Sequence, residues 1–406
     1  MQSKNLRTLD RSSFYTGFSF FFLDPYIQII GVALGASVLE IGSFTAAVFA
    51  AQLVSNPLAG HLTDRIGRSK TLAVGCFVRV ISLSMVGLAF LAQSPITILL
   101  GRTFQGFAAG FFWTASYAIV ADETDMGGRG REFGQMSQWV NRGMLVGALG
   151  GFILLLIRLD LPPYLFAAAA LLSGLYALKI VPSKTGDHNM KISAGQSVTR
   201  NTRASVGLLG LNTLNSFAMA ALTSVMIVRV SRIVFTPTTP INTQAILIAI
   251  ATAPQVLILA IAAPRLARFV DTLGRARPLV GSILFLIPVS YAFIWMSDLW
   301  QFALLGFLLS IAAAIASVAL NAVVGDLYRS RRGLAYGGLN TSSSAGSVLG
   351  ALVSGVLYTA GWDKLVITSV AVQVISLLAL LLLWKAYLPY DVRREKPVIT
   401  VITPKE

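Results

Sequence analysis

The chain has 406 residues, of which 55% are hydrophobic and only 12% are charged. Soluble domains carry about 25% charged residues, so most of this surface must face something other than water. The net charge of +15 would suit a nucleic-acid partner, but the basic residues fall in clusters between apolar runs of about 20 residues. Such runs match the hydrocarbon core of a bilayer, so we predict a lipid bilayer and no nucleic acid as partner.

Twelve apolar runs predict an all-α membrane protein with twelve transmembrane helices. The first run is too long for a cleavable signal and is predicted to be a retained span. The predicted spans are 12–34, 40–59, 71–92, 96–120, 134–157, 162–181, 204–228, 243–263, 278–296, 299–323, 334–358 and 364–386. The predicted units are an N-terminal six-helix bundle (1–181), a cytoplasmic linker (182–203), a C-terminal six-helix bundle (204–388) and a cytoplasmic tail (389–406).

Lysine and arginine predict the orientation. If the N-terminus is cytoplasmic, 25 of the 32 basic residues lie in inside segments and 4 in outside loops. Positive charge is concentrated on the cytoplasmic side of membrane proteins. The sequence therefore predicts a multi-pass protein of the cytoplasmic (inner) membrane with both termini in the cytoplasm.

The two halves of the chain share paired motifs in the same order, at offsets of 203, 203 and 207 residues. The pairs are Arg129–Gly134 with Arg332–Gly337, Gly143–Leu149 with Gly346–Leu352, and Asp64–Arg68 with Asp271–Arg275. Such pairing indicates two copies of one folding unit. Paired halves in an apolar chain are typical of a secondary transporter, in which two bundles rock about a shared site.

The loop between spans 2 and 3, residues 60–70, resembles the signature loop of the major facilitator superfamily, Gly-x-Leu-x-Asp-Arg-x-Gly-Arg-Arg/Lys. Ser69 and Lys70 stand where the family has one basic residue. The weaker copy that begins at Asp271 extends the resemblance over essentially the whole chain. The resemblance implies two pseudo-symmetric six-helix bundles (the major facilitator fold), a small-molecule substrate and function as a monomer.

The resemblance also implies a conformational lock. Asp64 would cap span 11 near Gly333 and Leu334, since a carboxylate is stabilised at a helix N-terminus. Arg68 would pair with Asp122, and the second copy would act in the same way against span 5. These contacts would hold the inner side closed; the alternative is a tight turn with solvated charges. The predicted lock comprises Gly60, Asp64, Arg65, Gly67, Arg68, Asp122, Asp271, Gly274, Arg275 and Asp326.

Span 4 contains Arg102 at the start of Arg-x-x-Gln-Gly-x-x-Ala, a pattern similar to that of the proton-coupled branch of the family. The resemblance implies that Arg102 is linked to proton movement. An intramembrane arginine is costly without a partner, and Asp24 is the carboxylate well inside an apolar run. Burial and the arginine act in opposite directions on its protonation, so Asp24 and Arg102 are the predicted proton-coupling pair. The alternative is a fixed structural ion pair.

Glycines recur in spans 5 and 11 at a spacing that lets helices approach closely. The run in span 5 resembles a motif associated with exporters of the family, although Ala148 stands where the motif has proline. Close packing without any bearing on transport direction is the alternative. The predicted packing glycines are Gly143, Gly147, Gly151, Gly346 and Gly350.

Spans 1, 2, 4, 5, 7, 8, 10 and 11 would line the transport path in this architecture. Aromatic faces with a few polar groups suit a bulky, mostly apolar ligand, although such aromatics often pack between helices or face lipid. The candidate cavity residues are Tyr26, Gln28, Gln105, Trp113, Tyr117, Gln138, Asn141, Arg142, Asn212, Asn215, Gln244, Gln255 and Asn321.

The sequence as a whole predicts a secondary active transporter that works by alternating access, with proton-coupled export of small amphipathic compounds. An importer or uniporter of sugars, organic anions or lipids is the alternative within transport, and a non-transporting sensor or scaffold is the alternative outside it. No enzyme, metal or cofactor is predicted, because the lone Cys76, two loop histidines and the lack of a phosphate-binding loop offer no such chemistry.

Overall fold

The structure, a computed structural model, describes residues 3–20, 27, 34, 38–124, 128–158, 160–181, 202–236, 239, 241–328 and 332–383. Within these residues, the regular structure is entirely helical. A membrane-spanning chain must satisfy its backbone polar groups inside each segment, which a helix does.

Within the described residues, the first half contains six helices: α1 (Lys4–Phe18), α2 (Val38–Arg65), α3 (Arg68–Ala92), α4 (Pro95–Glu123), α5 (Arg129–Ile157) and α6 (Pro162–Ala177). The second half contains α7 (Thr202–Thr223), α8 (Met226–Val234), α9 (Ile241–Leu273), α10 (Ala276–Ala292) followed by a 3-10 turn (Phe293–Trp295), α11 (Leu299–Leu327), α12 (Arg332–Ala360) and α13 (Trp362–Leu382).

Where the chain is described, the predicted spans from the second onward fall on helices, but the ends differ in places. Residues 21–26 and 28–33 of the first predicted span, residues 384–386 of the last one and the predicted tail (389–406) lie outside the described residues. The first helix begins at Lys4, well before the predicted start at residue 12, because the Ser3 hydroxyl caps it by accepting a hydrogen bond from the Leu6 amide (3.1 Å). The predicted seventh span is two helices, α7 and α8. Residues 182–201 of the predicted linker lie outside the described residues, and α7 already begins at Thr202.

The two halves pack in the same way. In the first half α1 packs on α5 and α6, α2 on α4, and α3 on α4 and α6; the corresponding contacts of the second half join α7 to α12 and α13, α9 to α11, and α10 to α11 and α13. The halves meet along two seams, α2 with α12 and α5 with α9. The repeat exchanges these seams, so the molecule has the pseudo-twofold arrangement that the paired motifs predict.

The outside of the bundle is apolar. Large exposed hydrophobic side chains include Leu91 (75% exposed), Val356 (71%) and Leu382 (85%). In the part of the chain that the structure describes, seven helical segments are long and apolar enough to cross a membrane, and α6 is a shorter apolar helix. Such a surface is stable against lipid and would be unfavourable in water.

Two of the predicted packing glycines in each half bring helix backbones into contact. A Cβ at Gly143 would overlap the Phe14 carbonyl oxygen of α1, and one at Gly346 would overlap the Thr213 carbonyl oxygen of α7. Gly147 and Gly350 repeat this contact one turn further along, and Gly151 is buried. The glycines therefore allow close backbone contact between α1 and α5 and between α7 and α12.

We expect Gly143→Ala to destabilise the protein by about 1–3 kcal/mol, because the added methyl group must push α1 away from α5. The matched control is Gly210→Ala in α7, where a Cβ would meet no atom within 4 Å. Thermal unfolding of both purified variants in detergent measures the difference. Equal unfolding temperatures for the two variants would show that α1 and α5 are not in backbone contact.

Candidate functional site

Both copies of the signature loop lie on one face of the bundle, where α2, α4, α9 and α11 end and α3, α5, α10 and α12 begin; we call it the signature face. Gly67 separates α2 from α3 with φ of +101°, and Gly274 separates α9 from α10 with φ of +91°. Side chains are disfavoured at such angles. Both loops therefore require glycine at the matching position to turn sharply.

The first loop joins the two halves through a carboxylate at a helix N-terminus. Asp64 accepts hydrogen bonds from the amides of Gly333 and Leu334, both at 3.0 Å. Arg68 donates through Nε to Asp122 at 2.6 Å and lies 3.9 Å from Asp64. The family resemblance implies both sets of contacts. The Asp64 bonds join α2 to α12 across the seam, and the Arg68 pair joins α3 to α4 within the first half.

The second loop repeats the arrangement. Asp271 accepts hydrogen bonds from the amides of Gly130 (3.1 Å) and Arg131 (2.8 Å) at the start of α5. Arg275 contacts Asp271 at 2.5 Å and Asp326 at 3.2 Å. The α5 and α9 seam is thus closed by the same chemistry as the α2 and α12 seam.

Arg129 is a member of this network that the sequence analysis missed. Its guanidinium pairs with Asp326, so an ion pair joins α5 of one half to α11 of the other. The available signal was its position at the start of the repeated motif. Two arginines, Arg129 and Arg275, and two carboxylates, Asp271 and Asp326, form a buried cluster whose formal charges balance.

The two copies differ in burial. The Arg68 side chain is 33% exposed and that of its counterpart Arg275 only 1%. Arg65 ends α2 and is exposed. Gly60 packs against α12, where a Cβ would come within 2.8 Å of the Gly333 carbonyl oxygen. The second copy of the loop is therefore more deeply buried than the first, and its charges are less screened by water.

Above the signature face, an aromatic cluster fills the space between the halves. Tyr117 of α4 lies 5.8 Å from Phe133 of α5 and 5.7 Å from Tyr336 of α12, between ring centroids. Trp113 extends the cluster, 5.6 Å from Tyr117. Phe133 and Tyr336 occupy matching positions in the two repeats. The cluster therefore packs aromatic rings of the two halves against each other on this side.

Arg102 is buried in α4, as the motif suggests. It donates to the Gln105 side chain at 2.8 Å and to the Phe44 carbonyl oxygen at 3.2 Å, so the two polar residues of the motif contact each other. Asp24, Tyr26 and Gln28 lie outside the described residues. The pairing of Arg102 with Asp24 stays a prediction.

Gln138 and Arg142 belong to the α5 and α9 seam. Gln138 donates to the Ile261 carbonyl oxygen at 3.0 Å, and Arg142 donates through Nε to the Ala260 carbonyl oxygen at 3.1 Å. Pro264 has no N–H, so the Ala260 carbonyl lacks its helical donor. Two side chains one turn apart thus bind two successive carbonyls beside a helix-interrupting proline.

A polar cavity of about 190 Å³ lies between α4, α7, α10, α11 and α12. Among the predicted cavity residues, it is lined by Tyr117, Asn212, Asn215 and Asn321. Lining residues that the sequence analysis missed are Ser216, Ser317, Asn340 and Ser343. A polar run from 340 to 344 inside the otherwise apolar span 11 was the available signal.

The remaining candidates have other surroundings. Asn141 is buried and donates to the Ser137 carbonyl oxygen of its own helix. Gln255 packs over Gly306 of α11, and the side chain of Gln244 lies outside the described residues. Trp113 packs on Tyr117, and Gln105 accepts a hydrogen bond from Arg102, so neither is among the residues that line the polar cavity.

Two equivalent helical halves, joined on one face by non-covalent polar contacts and enclosing a polar cavity, define a membrane transporter. The family model for the Major Facilitator Superfamily matches residues 12–236 and 208–403, and the chain belongs to that family. Two overlapping matches to one family model agree with the internal repeat.

Relatives in sequence include the quinolone resistance protein NorA of Staphylococcus aureus (strain COL). It is 22% identical over 340 residues, which cover 82% of this chain and 84% of the relative. The multidrug resistance protein 2 of Bacillus subtilis (strain 168) is 33% identical over 132 residues, which cover 32% of this chain and 31% of that protein.

Solved structures show the same fold at low identity. The human organic anion transporter MFSD10 has a TM-score of 0.69 and 19% identity, with 93% of this chain and all of that chain covered. The proton:xylose symporter XylE has a TM-score of 0.71 and 13% identity, with 94% of each chain covered. The fold is therefore the major facilitator fold, as predicted.

Proposed function

We propose that this chain is a secondary active transporter that exports small amphipathic compounds by alternating access, driven by protons. The observation that carries the proposal is the pair of seams on the signature face. Each seam is closed by a carboxylate, Asp64 or Asp271, on the free amides of a helix in the opposite half. Such contacts hold firmly yet can break without covalent change, as alternating access requires.

We further propose that the signature face is cytoplasmic. The basic residues are concentrated in the segments on that side, in agreement with the positive-inside rule. The structure would then be closed toward the cytoplasm and able to open toward the other side. This arrangement is the one that releases an exported compound.

Drug export is favoured by the relatives, whose names describe quinolone and multidrug resistance. Proton coupling is favoured by Arg102, which is 2% exposed and held beside Gln105 inside α4. A buried guanidinium of this kind can stabilise a nearby carboxylate only while that carboxylate is charged. Protonation of such a carboxylate would therefore change the relative stability of the two facing states.

The direct test is transport into proteoliposomes with an imposed pH gradient, screened with cationic, neutral and anionic dyes. Gradient-dependent accumulation that collapses when a protonophore is added is the expected result. Equal movement with and without the gradient would contradict proton coupling, and no movement of any compound would contradict transport.

Asp24→Asn is expected to abolish transport driven by the pH gradient while leaving substrate binding intact, because asparagine cannot take up a proton. Gradient-driven flux and equilibrium binding are measured on the same preparation. The control is Asp160→Asn, which removes the charge of the residue that pairs with the exposed Arg158 outside the helices. Normal gradient-driven flux in Asp24→Asn would exclude Asp24 as the coupling residue.

A further inference from the structure

The polar cavity arises because the repeated halves place different side chains at matching positions. Asp122 of α4 and Asp326 of α11 contact Arg68 and Arg275, and they align the two helices at an offset of 204 residues. The repeated motif aligns α5 with α12 at an offset of 203. The matching pairs are Phe112 with Ala316, Trp113 with Ser317, Tyr117 with Asn321, and Val140 with Ser343.

In the first half these positions are filled. Phe112 lies 5.1 Å from Trp113, and Trp113 lies 5.6 Å from Tyr117, between ring centroids. In the second half the smaller side chains leave the cavity of about 190 Å³. Tyr117 reaches into its wall from the opposite half. The cavity therefore has one aromatic wall and one wall of amides and hydroxyls.

The polar wall is uncharged and has unsatisfied acceptors. None of the described lining residues is an acid or a base. Asn215 Oδ1 is buried and accepts no hydrogen bond within the described part of the chain, and the same holds for Asn321 Oδ1 in the same wall. The amide of the neighbouring Asn212 is already used, since Nδ2 donates to the Leu339 carbonyl oxygen at 2.7 Å.

These groups select a ligand by its charge and its donors. A buried acceptor without a donor is unfavourable, so Asn215 favours a ligand that brings an O–H or N–H group. A charged group would lose its hydration here without meeting an opposite charge. The ring of Tyr117 favours an apolar or aromatic portion beside the donor.

We propose that this cavity binds uncharged amphipathic compounds through a hydroxyl or carboxamide donor, with Asn215 as acceptor and Tyr117 packed on the apolar portion. The inference rests on the proposed transport function, for which it names the substrate class. It predicts that neutral compounds are preferred over cations and anions of the same skeleton.

Three probes with one skeleton test the preference: phenylacetamide, phenylacetate and phenethylammonium. Calorimetric binding to the purified full-length protein in detergent should favour phenylacetamide by about tenfold or more over either charged probe. Phenylacetate brings no donor for Asn215, and phenethylammonium would lose its hydration without meeting an opposite charge. Asn215→Leu should weaken the binding of phenylacetamide, because the acceptor is lost, and Asn215→Asp should shift the preference toward phenethylammonium. Asn141→Leu, a buried asparagine bonded within its own helix, should leave it unchanged.

The inference is overturned if a charged probe binds as tightly as phenylacetamide, if none of the three binds, or if Asn215→Asp leaves the preference unchanged. Thermal unfolding of each variant shows whether it is folded. Asn215→Asp should bind phenethylammonium more tightly than the parent does, which a damaged protein would not do. Binding in detergent needs no gradient. Failure of this preference and failure of gradient-driven transport are therefore separate results.

Discussion

Asp326→Ala is expected to destabilise the protein by about 3–5 kcal/mol, because removal of one partner leaves buried charge uncompensated. The Asp326 side chain has 0% exposure and contacts both Arg129 and Arg275, which are 5% and 1% exposed. In its absence only Asp271 would remain in the cluster to balance two guanidinium groups. Thermal unfolding in detergent and the yield of monodisperse protein measure the loss.

The control for Asp326→Ala is Asp160→Ala. Asp160 pairs with Arg158 at 2.8 Å, and the Arg158 side chain is 67% exposed. Exposed pairs contribute little to stability, so this variant should unfold close to the parent. If Asp326→Ala and Asp160→Ala unfold at the same temperature, the cluster of Asp326 with its two arginines is not a buried structural element.

Asp64→Ala is expected to open the signature face in a large fraction of molecules. The carboxylate makes two hydrogen bonds to backbone amides across the seam, and charged bonds of this kind contribute about 1.5–3 kcal/mol each. Loss of even one would shift the equilibrium between closed and open forms by about tenfold or more. Spin labels at Lys70→Cys in α3 and Thr272→Cys in α9, both exposed near this face, report the separation of the halves.

The labels are introduced in a Cys76→Ala background, because Cys76 is the one cysteine of the chain. The parent should give one short distance, and Asp64→Ala should add a longer one. Asp160→Ala, on the opposite face, should leave the parental distribution unchanged. A single short distance in Asp64→Ala would mean that the carboxylate does not hold the seam.

The contacts of the signature face could be expected because the loop resembles that of a known family and recurs in the second half. Asp64 and Asp271 share their spacing to the loop glycine, so the helix N-terminus that the resemblance implies as partner of Asp64 has a counterpart for Asp271. The start of α1 could not be read from hydropathy, because Ser3 caps a turn that carries charged residues. Local hydrogen bonding decided that boundary.

The rest of the site depends on which side chains face each other across the halves. In the sequence, Arg129 is one of several basic residues on the cytoplasmic side, and nothing in its own segment shows that Asp326 lies opposite. Gln138 and Arg142 have the polar character of cavity residues, yet they bind carbonyls of α9. The polar cavity lies where small residues of α11 take the positions that aromatic residues occupy in α4.

Pro264 makes opening of the α5 and α9 seam dependent on hydration. When the helices part, the Ala260 carbonyl loses the Arg142 donor and has no donor from its own helix to replace it. Leaving such a group bare costs about 1–3 kcal/mol, so this seam can separate only as solvent enters it. High osmotic pressure, which withdraws water from narrow spaces, should therefore slow the opening step and retain the closed form.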